Sequence, residues 1–526
     1  MAATTTQPGL GSDDVVARFD ELQRRLVALW DSMSHMSVED QTIVVVPSIS
    51  LAKPKGGVPD EGGSFMQAYE ERFLFLLLLL RQPSARMIYV TSQPIQPNVI
   101  DYYLNLLPGV IPSQARPRLS LVTPMDSANR PLTEKLLARP RLLERIRSLI
   151  GDPHRAHLVP YNTTELERDL AVRLGIPMYG ADPRYFGFGT KSGCRQLFAD
   201  EGVAHPIGIE DLWSLDDVAT ALVRMRSDKP SLREVLVKLN EGVSGEGNAL
   251  VDLTNLPAPG SADEREQIEK RLEAMTFEAP LLQLPDYVDM LVERGGVVEE
   301  RIVGEELLSP SVQLRITPLG QVELLSTHDQ LLGGASGQSY LGCKFPADPA
   351  YAPLITREAA KVAERLAKEG VIGRFALDFV VVRREDGSWE PYAIEINLRK
   401  GGTTHPFLTL QFLTDGVYDS ETAVFTAPSG KSKFFVASDH QSSPYYQGLT
   451  PDDLFDIVVR RGLHFDQARQ TGVVFHMMSG LSEAGSVGLT AVGDSPEEAD
   501  SLFQSACQAL DHEARSAWED GVLTPL

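Results

Sequence analysis

The sequence is poor in cysteine, in aromatic residues and in positive charge, and it has no long apolar run. Each shortage excludes something. Its three cysteines, Cys194, Cys343 and Cys507, lie far apart with neither metal-ligand nor disulfide-framework spacing, so they are expected as reduced thiols in a cytoplasmic protein. With 49 lysines and arginines against 72 aspartates and glutamates, the formal charge is −23. That balance excludes nucleic acid and anionic membranes as main partners, since both need a cationic footprint to displace counterions. The longest apolar run, FLFLLLLL from Phe73 to Leu80, has eight residues, whereas a bilayer-crossing helix needs about 20; a buried helix is expected instead. The start of the chain, MAATTTQPGLGSDD, lacks a basic region followed by an apolar core, so residues 1–12 are expected as a disordered leader and not a secretion signal.

What remains is globular. A chain of 526 residues with 43% apolar content suits several domains around a sizeable core. From 13 to 180, the runs TIVVVPS, RMIYVTS, RLSLVTP and AHLVPYN alternate with helical segments, which predicts an α/β domain with a parallel sheet covered on both faces. No glycine fingerprint follows the first strand, so a dinucleotide fold is not supported. Residues 181–303 predict a smaller lobe with strands EVLVKLN and NALVDL around a glycine-rich link. Residues 304–442 predict a strand-rich lobe with one helix, in which Ile355, Ala359, Val362, Ala363 and Leu366 recur at helical spacing and Gly370 stops the pattern. Residues 443–526 are expected as a small α+β domain.

The chemistry concentrates in the strand-rich lobe. RFALDFVVVRR and WEPYAIEINLR flank REDGSW, and Asp386-Gly387 is a strong hairpin signal. With those two as central turn residues, Asp378 faces Glu395, and Asn397 points to the same side. Opposed carboxylates repel unless a cation sits between them, and the set of two carboxylates and an amide oxygen suits magnesium. A bound magnesium suggests a nucleoside triphosphate. For its phosphates, the loop in VKLNEGVSGEGNALV offers Ser244, Gly245 and Gly247 with little side chain to block backbone N–H groups, and Lys238 just before it offers a cation. GGVVEERIVGEEL then supplies Glu299, Glu300, Arg301 and Ile302 as a linker whose backbone reads an adenine edge, with Glu306 toward ribose hydroxyls. Read alone, the same residues also suit an acidic strand end.

This order of parts resembles the ATP-grasp superfamily, and within it the pheganomycin-type peptide ligases with a pre-ATP-grasp domain and an extra C-terminal domain. The resemblance implies two ATP-clamping lobes, with Lys191 (in GTKSGCRQLF) and Lys238 on ATP phosphates and the loop Ser244–Gly247 over them. It implies Glu299 to Ile302 around adenine, Glu306 on ribose, and two magnesium ions on Asp378, Glu395 and Asn397. Arg399, two residues past EIN, matches a family position contacting an acyl phosphate or substrate carboxylate, and Arg374 is a second catalytic candidate beside Lys238. The implied reaction is ATP-dependent joining of a small-molecule or peptide carboxylate to an amine through an acyl phosphate, with release of ADP and phosphate. A kinase on the same fold and a non-catalytic nucleotide scaffold are the alternatives. The polar stretch LLSTHDQLLGGASGQSYLG contributes substrate-pocket candidates His328, Gln330 and Ser339. The stretch KGGTTHP contributes Lys400, Gly401, Thr403 and His405, whereas His464 and His476 show no metal partners and read as packing residues. A homodimer is among the expected assemblies.

Overall fold

The computed structural model describes residues 12–34, 40–50, 62–242, 245, 247–279, 281–334, 337 and 339–520. Residues 1–11 of the expected leader and the phosphate-loop candidate Ser244 lie outside them.

The four β-branched runs near the N-terminus form the expected parallel sheet. Strands β1 (Gln41–Val46), β2 (Ala85–Val90), β3 (Leu119–Val122) and β4 (Ala156–Pro160) lie in the order β3-β2-β1-β4. Because side chains alternate along a strand, Ile43 and Val45 enter one core with Phe73 and Leu77, while Val44 and Val46 enter another with Leu136 and Leu170. The apolar run is a buried helix as expected, wound as a 3₁₀ helix over Arg72–Arg81.

The second lobe is an antiparallel sheet. Strands β5 (Gly208–Leu212), β6 (Glu234–Leu239), β7 (Asn248–Asp252), β8 (Thr276–Phe277) and β9 (Gly296–Glu300) lie in the order β5-β9-β6-β7-β8. They pack on helices Leu215–Asp228, Glu264–Glu273 and Leu284–Arg294 through a core of their own that includes Leu222, Val235, Val251, Ile268 and Leu291.

The third block begins with β10 (Leu307–Leu308), β11 (Pro310–Ile316), β12 (Val322–Gly333), β13 (Ser339–Phe345), β14 (Gly373–Arg383) and β15 (Trp389–Asn397). Strands β10 and β11 pair along one edge of β14, and β15 along the other. After the ribbon β16 (Val417–Asp419) and β17 (Val424–Thr426), β18 (Phe434–Ser442), β19 (Gly472–His476) and β20 (Ser486–Gly493) continue the same sheet in the order β13-β18-β20-β19. The C-terminal block thus shares the sheet of the lobe before it, and residues such as Phe475, Leu489 and Leu510 belong to one core with Phe345 and Ile355. The helix Ala352–Glu369 buries Ile355, Ala359, Val362, Ala363 and Leu366 on this sheet and ends at Gly370 in the left-handed conformation. Among the described residues, no helix is long and apolar enough to cross a membrane.

The strand that carries Asp378 starts at a tight junction. Gly373 has φ +106°, and a Cβ there would lie 2.9 Å from Cα of Gly180 at the end of the first domain. Gly373→Ala combines a strained backbone with a backbone clash, so a loss of about 2–4 kcal/mol is expected as a lower urea midpoint. An unchanged midpoint would refute this junction.

Candidate active site

The site is built on the β14–β15 hairpin, whose turn differs from the two-residue form expected. Arg384 N donates to Ser388 O at 2.8 Å and Gly387 N to Arg384 O at 2.9 Å, with Gly387 at φ +83°: this is a three-residue loop with glycine in the left-handed position. Near the turn the pairing is therefore one residue off, with Arg383 opposite Trp389 and Phe379 opposite Ala393. Ile394 is then bulged out. That extra residue restores the expected register, so Asp378 opposes Glu395 and Ala376 opposes Asn397.

The two carboxylates are cross-linked in place. Asn397 Nδ2 donates to Asp378 Oδ2 at 2.9 Å and to Glu395 Oε1 at 3.0 Å, and Gln330 Nε2 donates to Asp378 Oδ1 at 2.8 Å. Burial raises the Asp378 pKa, opposed by hydrogen bonding to Ser311 and by the charges of Lys191 and Arg399. Lys191 Nζ forms an ion pair with Glu395 Oε2. An ammonium thus sits where opposed carboxylates demand a cation. Burial, with Lys238 nearby, pushes Lys191 down to about 8.

Lys191 opens the helix Lys191–Asp200, capped by Thr190 Oγ1, which accepts from Gly193 N at 3.0 Å. Asn240, at the end of β6, fixes that helix start by accepting from Lys191 N at 3.1 Å through its carbonyl and from Ser192 N at 2.9 Å through Oδ1. Sequence reasoning passed over Asn240, although its place two residues after Lys238, where the strand enters the glycine loop, was visible. In that loop Gly245 has φ +79° and accepts from Asn248 N at 2.8 Å, which closes the turn between β6 and β7.

Other candidates are placed differently from the expectation. Lys238 and Glu299 are both buried and ion-paired with each other, and Arg195 Nη1 reaches Glu299 Oε2 at 3.1 Å. The Glu299 side chain is therefore engaged with Lys238 and shares Arg195 with Glu210, whose Oε1 lies 2.6 Å from Arg195 Nε. Glu300 pairs with Lys229, and Arg301 pairs with Glu234 at 3.0 Å, so this linker offers backbone rather than side chains. Ile302 follows it outside regular structure, and the exposed Glu306 lies 2.9 Å from Arg383 on β14.

Beyond the hairpin, an open cleft is lined by Lys191, Asn240, Gly242, Asn397, Arg399 and Asn162. Arg399 lies 3.5 Å from Tyr161 Oη and has no carboxylate partner among the described residues. Arg374 shares the Asp378 face of β14 but stands opposite Arg315, and burial and that neighbour lower its pKa to about 10. Asn162 is buried, accepts from Ser50 N at 3.0 Å through Oδ1, and has no partner for Nδ2 among the described residues. No pattern marked it, because it reaches the cleft from the end of β4 in another domain.

The KGGTTHP candidates turn inward. Lys400 is buried, donates to Pro160 O at 2.6 Å and is pushed down to about 7 by burial, so it latches the strand-rich lobe to β4. Gly401 N donates to Thr404 Oγ1 at 3.0 Å, and Thr403 Oγ1 accepts from Gln313 Nε2 deep under the loop. His405 is buried against His476 and Asp439. His328 is packed against Phe345 and Phe435, with Ser326 Oγ 2.8 Å from its Nε2, and burial lowers it to about 3. Ser339 donates to Glu278 Oε1 at 2.8 Å, which ties the two lobes together. Of the substrate candidates, Gln330 reaches the carboxylate face.

Comparison with known proteins agrees with this architecture. The chain matches family models described as Pre ATP-grasp domain over residues 88–176, as IQCH-like, ATP-grasp over 186–279 and 281–421, and as PGM1 C-terminal domain over 453–506. It is 30% identical over 509 residues to an L-propargylglycine–L-glutamate ligase of Streptantibioticus cattleyicolor, covering 94% of this chain and 97% of that one. It is 22% identical over 510 residues to IQ motif-containing protein H of Danio rerio, covering 87% of this chain and 47% of the relative. Among solved structures, the ADP complex of the purK N5-carboxyaminoimidazole ribonucleotide synthetase has a TM-score of 0.51 at 11% identity, covering 90% of this chain and 98% of that one. The biotin carboxylase–beta-gamma-ATP complex from Campylobacter jejuni has a TM-score of 0.51 at 12% identity, covering 92% and 96%. At those identities the likeness is one of fold.

The buried Lys238–Glu299–Arg195 cluster gives a direct test. Glu299→Gln leaves the buried Lys238 ammonium without its carboxylate while Arg195 keeps Glu210 at 2.6 Å, so the protein is expected to lose about 3–5 kcal/mol of stability, read as a lower thermal midpoint. A side chain that merely faced a nucleotide would leave the free protein's midpoint where it was.

Proposed function

We propose a reaction for this chain from one established premise: it belongs to the ATP-grasp family of carboxylate–amine (peptide) ligases. Enzymes of that family use ATP and magnesium. ATP is assigned to the cleft, with its phosphates toward Lys191 and the β6–β7 loop and its purine against the backbone of Glu299–Ile302. The observation that carries the reading is the Asp378–Glu395–Asn397 face with Lys191 ion-paired on it and, beside it, Arg399, which has no carboxylate partner among the described residues. The carboxylate oxygens of Asp378 and Glu395 fit magnesium, the Asn397 amide would turn its oxygen toward the ion in place of the NH2 it now points at them, and the lysine shows that the face already attracts a cation. We assign two ions to it, whose bound charge would offset the negative charge on the transferring phosphoryl group.

The chemistry has two steps. A substrate carboxylate oxygen attacks the γ-phosphorus, the bond to the bridging oxygen breaks, and ADP leaves with that electron pair. The amine nitrogen then attacks the acyl carbon, phosphate departs with the C–O electron pair, and the nitrogen gives up its proton. Lys191 would exchange Glu395 for phosphate oxygens when ATP enters, and Arg399 would hold the acyl phosphate and the developing oxyanion. Arg374, further along the same strand face, would serve the substrate end. The 30% identical relative joins two amino acids, so an amino-acid-sized carboxylate and amine are the substrate class we assign. Three free cysteines fit a cytoplasmic location.

Screening pairs of amino acids and short peptides for ATP-dependent ADP release, with mass spectrometry of the product, tests the reading. In the presence of hydroxylamine an acyl hydroxamate is expected; a stable phosphoester would support the kinase reading instead. Glu395→Ala is expected to reduce turnover at least ~100-fold while the protein stays folded, and wild-type-like turnover would refute the metal assignment. A pH series adds an independent measure. The Lys191 ammonium is the form that binds phosphate and its pKa is about 8, so ATP affinity should weaken as pH rises through that value. Lys191→Arg, charged well beyond that range, should not show this alkaline loss.

A further inference from the structure

The fold gathers a second set of ligand-type side chains that the ligase chemistry does not use. His405 begins the helix Thr404–Thr414, Asp439 lies on β18 and His476 on β19. All three are buried. His405 Nε2 lies 3.0 Å from His476 Nε2 and 3.1 Å from Asp439 Oδ1, and His476 Nε2 lies 2.7 Å from that same oxygen.

Protons alone do not satisfy this triangle. An ionised carboxylate oxygen only accepts, and each Nε2 is either a donor or an acceptor. If both rings donate to Asp439, two N–H groups face each other across 3.0 Å. If His405 accepts instead, its lone pair faces the carboxylate oxygen at 3.1 Å. One contact of the three is always between like partners, in a buried place where such a mismatch is costly.

A cation resolves it, because all three atoms then present lone pairs to one point. We propose that His405, Asp439 and His476 bind one divalent transition-metal ion of the zinc class. Tetrahedral zinc bonds of about 2.0–2.1 Å place ligand atoms roughly 3.3 Å apart, so edges of 2.7–3.1 Å need to open by only a few tenths of an ångström. Two imidazoles with one carboxylate is a donor set that zinc accepts and magnesium disfavours. The other Asp439 oxygen is held by Arg72 Nη2 at 2.7 Å, which orients the carboxylate from behind. The site is also given room: a Cβ at residue 488 would overlap the His476 ring, so the facing strand carries glycine there. The ion would tie the helix that follows Arg399 to two strands of the C-terminal block and leave a fourth position for water.

The test uses the full-length protein purified after growth with zinc and dialysed against excess Mg2+, which occupies the Asp378–Glu395 face. Elemental analysis is expected to find about one zinc per chain, retained in Glu395→Ala and lost in His476→Ala. Chelation should lower the thermal midpoint, and added Zn2+ should restore it. Replacement by Co2+ should give the visible absorption of a tetrahedral centre in the wild-type protein, a readout that requires no variant to fold. Wild-type protein with no bound zinc and no midpoint shift on Zn2+ addition would overturn the proposal. So would zinc that persists in His476→Ala but disappears in Glu395→Ala, which would place the ion on the hairpin.

Discussion

Two carboxylates held face to face across a hairpin are the constraint around which the site is organised. Asp378 and Glu395 repel at that separation, so the fold supplies positive charge and donors to hold them: the Lys191 ammonium, the Asn397 amide and the Gln330 amide. Each comes from a different element. Lys191 arrives on a helix set by Asn240, Gln330 on β12, and Asn397 two residues beyond Glu395. In the reaction proposed above, this face would exchange its lysine for magnesium and nucleotide phosphates, and the free and nucleotide-bound states would differ by one swap of cations over the same oxygens.

The same hairpin shows how a sequence reading arrives at a correct pair by an incomplete route. Asp386-Gly387 suggested a two-residue turn and therefore Asp378 opposite Glu395. The turn is instead a three-residue loop, which shifts the pairing by one, and the bulge at Ile394 shifts it back. The bulge lies between the turn and the functional residues, so strand positions near Trp389 follow one register and those near Asn397 the other. Composition patterns carry no mark of a bulge whose extra residue is an ordinary isoleucine.

The parallel sheet, the helix at 352–369 and the order of the lobes were legible because each leaves a periodic trace: alternating β-branched runs, apolar residues three and four apart, glycine at the stop. Side-chain roles were less legible wherever burial decided them. Lys238 and Glu299 carry the charges expected of a nucleotide site, yet strand pairing between β6 and β9 brings them together inside the lobe. Lys400 reads as a substrate lysine until β4 is seen to end against it. Asn162 was passed over, and His476 was read as a packing residue, for the converse reason: what they meet is contributed by distant segments.

These displaced residues share a physical logic. The small lobe has its own apolar core, whereas the first domain, the strand-rich lobe and the C-terminal strands share another. Lys400 on Pro160 O, Arg72 on Asp439 and Arg399 beside Tyr161 all join parts of that shared body. Lys191 and Asn240, by contrast, stand where the small lobe meets the Asp378–Glu395 face. Of the contacts within the shared body, Arg72 on Asp439 and Lys400 on Pro160 O are buried. In the proposed reaction, the contact that would change when ATP enters is the ion pair between Lys191 and Glu395, at 15% and 24% side-chain exposure. Under that reading the Glu395 end, the more exposed of the two, would let the pair open, and the buried contacts around it would keep the oxygens in place.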